Sequence, residues 1–132
     1  AGYSVFDWKG GGCVHLDRRA IMRVIRLADR CAEQDLPGRS SGGLSQCSRE
    51  LRQCLETLDH STVLDIVALM WLGRDCRYWR KTPHKGQFDV YRERAQRAHP
   101  AAAGKADAID CIVEKGPLSD YLREALQFIG EL

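Results

Sequence analysis

Apolar residues recur at intervals of three and four along most of the chain, the pattern of helices with one buried face. The first predicted helix spans about residues 17–34, with Asp17 as its cap and arginines around the rest of its circumference. The second spans about residues 44–58. The third, about residues 62–72, is apolar on almost every side apart from Asp65. A helix of that kind lies at the centre of a bundle.

Three further helices are predicted after a loop of residues 74–86, which contains a proline and a glycine. They span about residues 88–98, 101–115 and 117–129. Few segments alternate with a period of two, so the predicted fold class is all-α: a compact, single-domain bundle of five or six helices. The core is predicted to centre on residues of the third helix: Val63, Ile66, Val67, Met70 and Trp71.

The N-terminal residues have a different composition from the rest of the chain. Residues 1–15 are aromatic and rich in glycine, and we interpret them as an arm ahead of a single helical domain of residues 16–132. A short extended piece is expected at 3–8, before a run of three glycines breaks any regular element. The aromatic side chains of this arm are expected to pack against protein, either this chain or a neighbouring one.

Length, charge and hydropathy exclude several classes of protein. The chain has 132 residues, of which 44% are hydrophobic and 29% charged, which is typical of a globular domain and not of a disordered tail. Twenty Lys and Arg against 18 Asp and Glu leave a net charge of +2, which excludes a polycation. The sequence contains no window of about 18 apolar residues, so no membrane span is expected.

Two sequence blocks resemble a known family. Residues 66–74, I-V-A-L-M-W-L-G-R, resemble the V-A-L-M-W-L-G-R-G signature of a family of small bacterial proteins of uncharacterised function. Residues 116–126, G-P-L-S-D-Y-L-R-E-A-L, are similar to that family's closing helix, T-P-L-L-x-D-Y-L-x-E-G-L. The resemblance extends over residues 17–130, with Asp75 in place of a second glycine and a longer basic segment at 75–87. It implies a small helical domain and carries no known reaction, so it supplies no catalytic residues.

The first of these blocks also has a structural interpretation. Met70 and Trp71 are expected to fill the middle of the core. Gly73 is expected to end the third helix in a left-handed conformation, and Arg74 to bond the last carbonyls of that helix.

The six cysteines raise the question of metal binding or thiol chemistry. Cys47 and Cys54 lie two helical turns apart, about 10–11 Å along the axis, which is too far to share a zinc ion. The sequence has no C-x-x-C motif, so we expect no metal, no other cofactor and mostly reduced core thiols in a cytoplasmic protein. Cys76 is the exception, because four basic residues near it in a predicted loop favour a reactive thiol. No motif indicates catalysis, and we expect no enzyme.

The basic and aromatic segment after the third helix is the predicted binding site. The candidate binding residues are Arg74, Arg77, Tyr78, Trp79, Arg80, Lys81, Lys85 and Arg92. Arginine and aromatic side chains are the types that most often anchor protein interfaces. The leading hypothesis is therefore a non-catalytic interaction protein that binds a protein partner, or a second copy of itself, through residues 74–92.

Two other functions remain open at this point. The same basic segment is compatible with an accessory nucleic-acid-binding protein, because cations neutralise phosphates and aromatic rings stack on bases. A third candidate is a phage- or plasmid-borne inhibitor of a host protein complex. Against both binding hypotheses stands a structural interpretation, in which Trp79, Phe88 and Tyr91 face the core and the arginines form a solvated rim.

Overall fold

The computed structural model describes residues 3–7, 13–34, 46–76, 86–114 and 117–129, with side chains from residue 16 onward except those of residues 33 and 34. Six α-helices lie within these ranges, and they confirm the all-α fold class. They are α1 (Arg18–Gln34), α2 (Gln46–Glu56), α3 (His60–Asp75), α4 (Gln87–Ala98), α5 (Ala106–Val113) and α6 (Leu118–Phe128).

Aspartate caps fix the first residues of two helices. The Asp17 carboxylate accepts a hydrogen bond from the Ala20 amide at 3.1 Å, as predicted for the start of α1. The Asp59 carboxylate accepts one from the Thr62 amide at 3.0 Å, so α3 begins two residues earlier than predicted. Both caps satisfy amide groups that a helix leaves without a partner.

The fifth predicted helix is divided into two elements. Residues 101–103 form one turn of 3-10 helix, and α5 begins only at Ala106. Gly104 separates them at φ 78°, a left-handed conformation that ends the first turn. The prediction of one continuous helix from residue 101 is therefore wrong, because the periodic pattern does not reveal this backbone turn.

The core surrounds α3, which packs against α4, α5 and α6. Val63, Ile66, Val67 and Met70 are buried as predicted. Trp71 is only partly buried, and its ring lies at the edge of the core with its centroid 6.3 Å from that of the His99 imidazole. Its predicted place in the middle of the core is therefore wrong.

Gly73 brings two helices together and does not end α3. The helix continues to Asp75, and Gly104 is the glycine with positive φ among the described residues. A Cβ atom on Gly73 would lie 1.7 Å from the carbonyl oxygen of Tyr121. The glycine therefore permits the backbones of α3 and α6 to make contact, which corrects its predicted role as a left-handed stop.

A disulfide joins the end of α1 to the start of α2. Cys31 and Cys47 are bonded, with their Cα atoms 5.3 Å apart. The prediction of reduced core thiols is wrong for this pair, although Cys54 is a buried thiol as expected. Because disulfides are rare in the cytosol, the pair also removes the argument from which a cytoplasmic location was predicted.

The N-terminal arm contains a two-stranded antiparallel sheet. Strand β1 (Tyr3–Asp7) pairs with β2 (Cys13–Asp17), in a register that places Tyr3 opposite Asp17. The expected extended piece corresponds to β1, whereas β2 was not predicted. Strand β2 leads directly into α1 and places Leu16 in the core.

None of the helices in the described ranges is both long and apolar enough to cross a membrane.

Candidate functional site

The structure describes three of the nine predicted site residues. Arg74, Cys76 and Arg92 are described, and each makes a defined contact. The other six lie outside the described residues: Arg77, Tyr78, Trp79, Arg80, Lys81 and Lys85. The candidate site is therefore built from the end of α3 and from α4.

Charged and aromatic side chains connect the end of α3 to α4. The Arg74 guanidinium donates two hydrogen bonds to the Asp75 carboxylate, at 2.8 and 3.3 Å. These bonds stand in place of the predicted ones to the last carbonyls of α3. The Tyr91 hydroxyl donates to Oδ2 of the same carboxylate at 2.7 Å, the oxygen that also accepts the longer bond from Arg74. The guanidinium of Arg94 lies 5.1 Å from the centre of the Tyr91 ring, in a cation–π contact. These four side chains form one connected network.

Asp75 and Tyr91 of this network have shifted pKa values. The hydrogen bond from Arg74 lowers the pKa of Asp75, which stays ionised. Burial, together with the hydrogen bond to Asp75, raises the pKa of Tyr91 to about 12. The tyrosine hydroxyl is therefore protonated near neutral pH and acts as a hydrogen-bond donor.

Arg92 links α4 to α3 in this fold, and its role in binding stays a prediction. Its Nε donates to Asp65 at 2.7 Å and a terminal nitrogen to Ser61 at 3.2 Å. The Arg92 and Asp65 side chains are only 20% and 14% exposed. Burial raises the pKa of Asp65 to about 6, because it outweighs the opposing effect of Arg92. Asp65, the acidic residue in the middle of the apolar α3, thus holds α4 in place.

Cys76 lies at the end of α3 and not in a loop. Its side chain is buried, with Sγ 3.5 Å from the Gly73 carbonyl oxygen and 3.8 Å from a carboxylate oxygen of Glu124. A carboxylate thus lies within contact distance of the thiol, whereas the predicted reactivity depended on basic neighbours. The reactivity of Cys76 stays a prediction. The burial of its thiol would slow any reaction with a reagent from solution.

The aromatic residues of α4 support the core. Phe88 and Tyr91 are 2% and 3% exposed, so their rings are not available to stack on bases. For these two residues the structural interpretation is correct. Trp79, the third aromatic residue of that interpretation, lies outside the described residues.

The outward side of α4 carries an exposed apolar residue among charges of both signs. Val90 is 43% exposed, the only large hydrophobic side chain with that exposure among the described residues. We define the α4 face as the exposed residues Asp89, Val90, Glu93, Arg94 and Arg97. Glu93 and Arg97 form an ion pair at 2.6 Å. An open notch of about 420 Å³ next to this pair is bordered by Pro100 and Ala101.

A second charged surface was not predicted as a site. Arg19, Arg23, Arg26 and Arg30 of α1 are all exposed, and we name them the arginine line. The sequence shows these arginines but not whether acidic residues from other helices neutralise them. That distinction separates a solvated helix from a binding surface, and it depends on tertiary structure.

Within the part of the chain that the structure describes, no three His, Cys, Asp or Glu side chains come close enough to hold a metal ion.

Comparison with known proteins identifies one family. The family described as "Protein of unknown function (DUF3775)" matches residues 48–130, from the third residue of α2 to the second residue after α6. No curated protein and no solved structure shows significant similarity to the chain.

Proposed function

Because the chain belongs to the DUF3775 family of proteins of unknown function, we propose a function from its surfaces: a non-catalytic interaction protein that binds a protein partner through the α4 face. The observation that carries this proposal is the exposure of Val90 on an otherwise charged surface. An apolar contact surrounded by polar residues is the usual arrangement of a protein interface.

The α4 face is held rigid by the contacts beneath it. Arg94 lies over the Tyr91 ring, Tyr91 is bonded to Asp75, and Arg92 ties the same helix to Asp65. A surface whose side chains are already ordered loses less conformational entropy when a partner binds. Arginine is also among the residues that contribute most to binding energy at interfaces.

The charges of this face define the chemistry of the partner. Asp89 and Glu93 are acidic, whereas Arg94 and Arg97 are basic. The two carboxylates would repel a phosphate backbone, so the described residues favour protein over nucleic acid at this surface. The matching partner presents an apolar pocket for Val90 between an acidic group and a basic one.

The experiment compares the Val90→Asp variant with a Gln53→Asp control. Gln53 is exposed on α2, so both variants add one negative charge to a solvent-facing helix position. Tagged chains are used to capture proteins from native cells, and each captured protein is then purified and titrated. We expect one protein to bind the wild type and the control with equal Kd, and Val90→Asp at least tenfold more weakly.

Sedimentation of the purified chain tests whether the partner is a second copy. In that case the wild type and the Gln53→Asp control form an oligomer that dissociates in the Val90→Asp variant. Equal binding of every captured protein to the two variants would contradict the proposal. So would capture that disappears on nuclease treatment.

A further inference from the structure

The outward side of α1 concentrates positive charge along one line. With about 100° of rotation per residue, the arginine line falls within a sector of about 60°. The buried residues Ile21, Val24, Ile25 and Ala28 lie on the opposite side of the helix. The Cα atoms of the four arginines follow the axis at steps of about 6, 4.5 and 6 Å, over a length of roughly 17 Å.

Among the described side chains, few acidic groups lie near this line. The Asp29 carboxylate on the same helix is bound by Arg123 of α6, with a contact of 2.9 Å. Glu50 of α2 lies 3.6 Å from Arg30, but the two side chains are 35% and 58% exposed. An ion pair of that exposure contributes little to stability, and Glu50 lies near only one of the four arginines.

The described contacts of Arg23 and Arg26 are with uncharged groups. Arg23 lies beside the thiol of Cys54, whose pKa is raised by burial, so the neighbouring group is neutral. Arg26 donates through Nε to the Met22 carbonyl of its own helix at 3.4 Å, which directs its side chain along the surface. Neither contact brings a negative charge to the line.

We infer that the arginine line is a binding site for the phosphate backbone of a double-stranded nucleic acid. A guanidinium group binds phosphate through two parallel hydrogen bonds, and a row of such groups matches a polymer with regularly repeated charges. The helix contains no aromatic residue, so it offers no platform for unstacked bases and favours a duplex over a single strand. Binding through phosphates alone carries no sequence specificity.

An anionic membrane is a weaker fit for the same charges. A helix that binds a bilayer inserts its apolar face among the lipids, whereas the apolar face of α1 is buried in the protein core. The inference is independent of the α4 face, which lies on another helix and has mixed charge.

The test measures fluorescence anisotropy of a labelled duplex DNA of about 20 base pairs at 50 and 200 mM salt. Four phosphate contacts give a slope of about −3.6 in log K against log salt, which is a loss of roughly a hundredfold over this range. The triple variant Arg19→Gln/Arg23→Gln/Arg26→Gln is expected to lose at least tenfold in affinity at 50 mM salt. Its slope should fall to about −1.

The matched control is Arg74→Gln/Arg94→Gln/Arg97→Gln. It removes the same number of charges and takes the formal net charge from +2 to −1, as the first variant does. The control should keep its affinity within threefold, because its arginines lie at the end of α3 and on the α4 face. Circular dichroism establishes that both variants are folded.

Three results would overturn the inference: no binding by the wild-type chain at 50 mM salt, equal losses in the two variants, or a salt slope unchanged by the first variant. Vesicles of 30% phosphatidylserine and 70% phosphatidylcholine provide the competing ligand. Stronger binding to these vesicles than to the duplex, lost in the first variant, would assign the line to membranes instead.

Discussion

The arginine line of α1 and the α4 face are both rich in arginine, yet they differ in the charges around them. On α1 the carboxylate of Asp29 is bound by Arg123 and Glu50 lies near Arg30 alone, so the described residues leave the line with a net positive charge. On α4 the residues Asp89 and Glu93 stand among the arginines and an exposed valine. The comparison teaches that arginine content alone does not specify a partner. The positions of the neighbouring carboxylates decide whether a surface suits phosphate or protein.

The two helices are also fixed to the fold by different interactions. The Cys31–Cys47 disulfide links the end of α1 covalently to α2. Helix α4 is tied to α3 by the half-buried pair of Arg92 with Asp65 and by the hydrogen bond of Tyr91 to Asp75. Breaking each link should therefore affect the stability of the fold by a different amount.

The largest effect is expected from removal of the disulfide. The double variant Cys31→Ser/Cys47→Ser should lower the free energy of unfolding by about 3 kcal/mol, because the unfolded chain gains the freedom of a loop of 16 residues. Urea unfolding measures the change, and Cys111→Ser, at a half-buried thiol outside any disulfide, is the control. An unfolding curve identical to that of the wild type, under non-reducing conditions, would show that the bond does not stabilise α1.

An intermediate effect is expected from Asp65→Ala. Arg92 would lose its carboxylate in a position only 20% exposed, and we expect a loss of about 2 kcal/mol. The control Glu93→Ala breaks the neighbouring exposed pair on the same helix and should cost less than about 0.5 kcal/mol. Urea unfolding of both variants gives the difference, and equal costs would mean that Arg92 does not anchor α4.

The smallest effect is expected from Tyr91→Phe. This change keeps the buried ring and removes one hydrogen bond to Asp75, which retains its two bonds from Arg74. We expect a loss of about 1 kcal/mol in the free energy of unfolding. Partner binding through the α4 face should weaken less than in Val90→Asp. If Tyr91→Phe weakened partner binding as much as Val90→Asp does, the hydroxyl network would be the main element of this surface.

Much of the fold follows from the spacing of apolar residues. The helical pattern locates α1, α3, α4 and α6 to within three residues at their ends, because a helix in water must repeat its buried positions every three or four residues. The cap at Asp17 also follows from residue type. The pattern does not locate the turn at Gly104, since a left-handed residue leaves no trace in the periodicity of its neighbours.

The candidate site was less predictable than the fold. Arg92 and Arg94 are identical residues two positions apart, but one faces Asp65 and the other faces solvent over Tyr91. The arginines of α1 were visible in the sequence, although their significance depends on Asp29 being bound by a residue 94 positions later. Such pairings join distant parts of the chain, and a single sequence gives no measure of them.

The sequence by itself determined the all-α class and the central position of the third helix. It offered the burial of Phe88 and Tyr91 only as one of two interpretations. Tertiary structure decided that Cys31 meets Cys47, that Gly73 lets α3 touch α6, and which arginines keep their charge exposed. The physical reason is one of range. Helix formation and burial depend on residues a few positions apart, whereas disulfides, helix contacts and charge neutralisation depend on which helices the fold brings side by side.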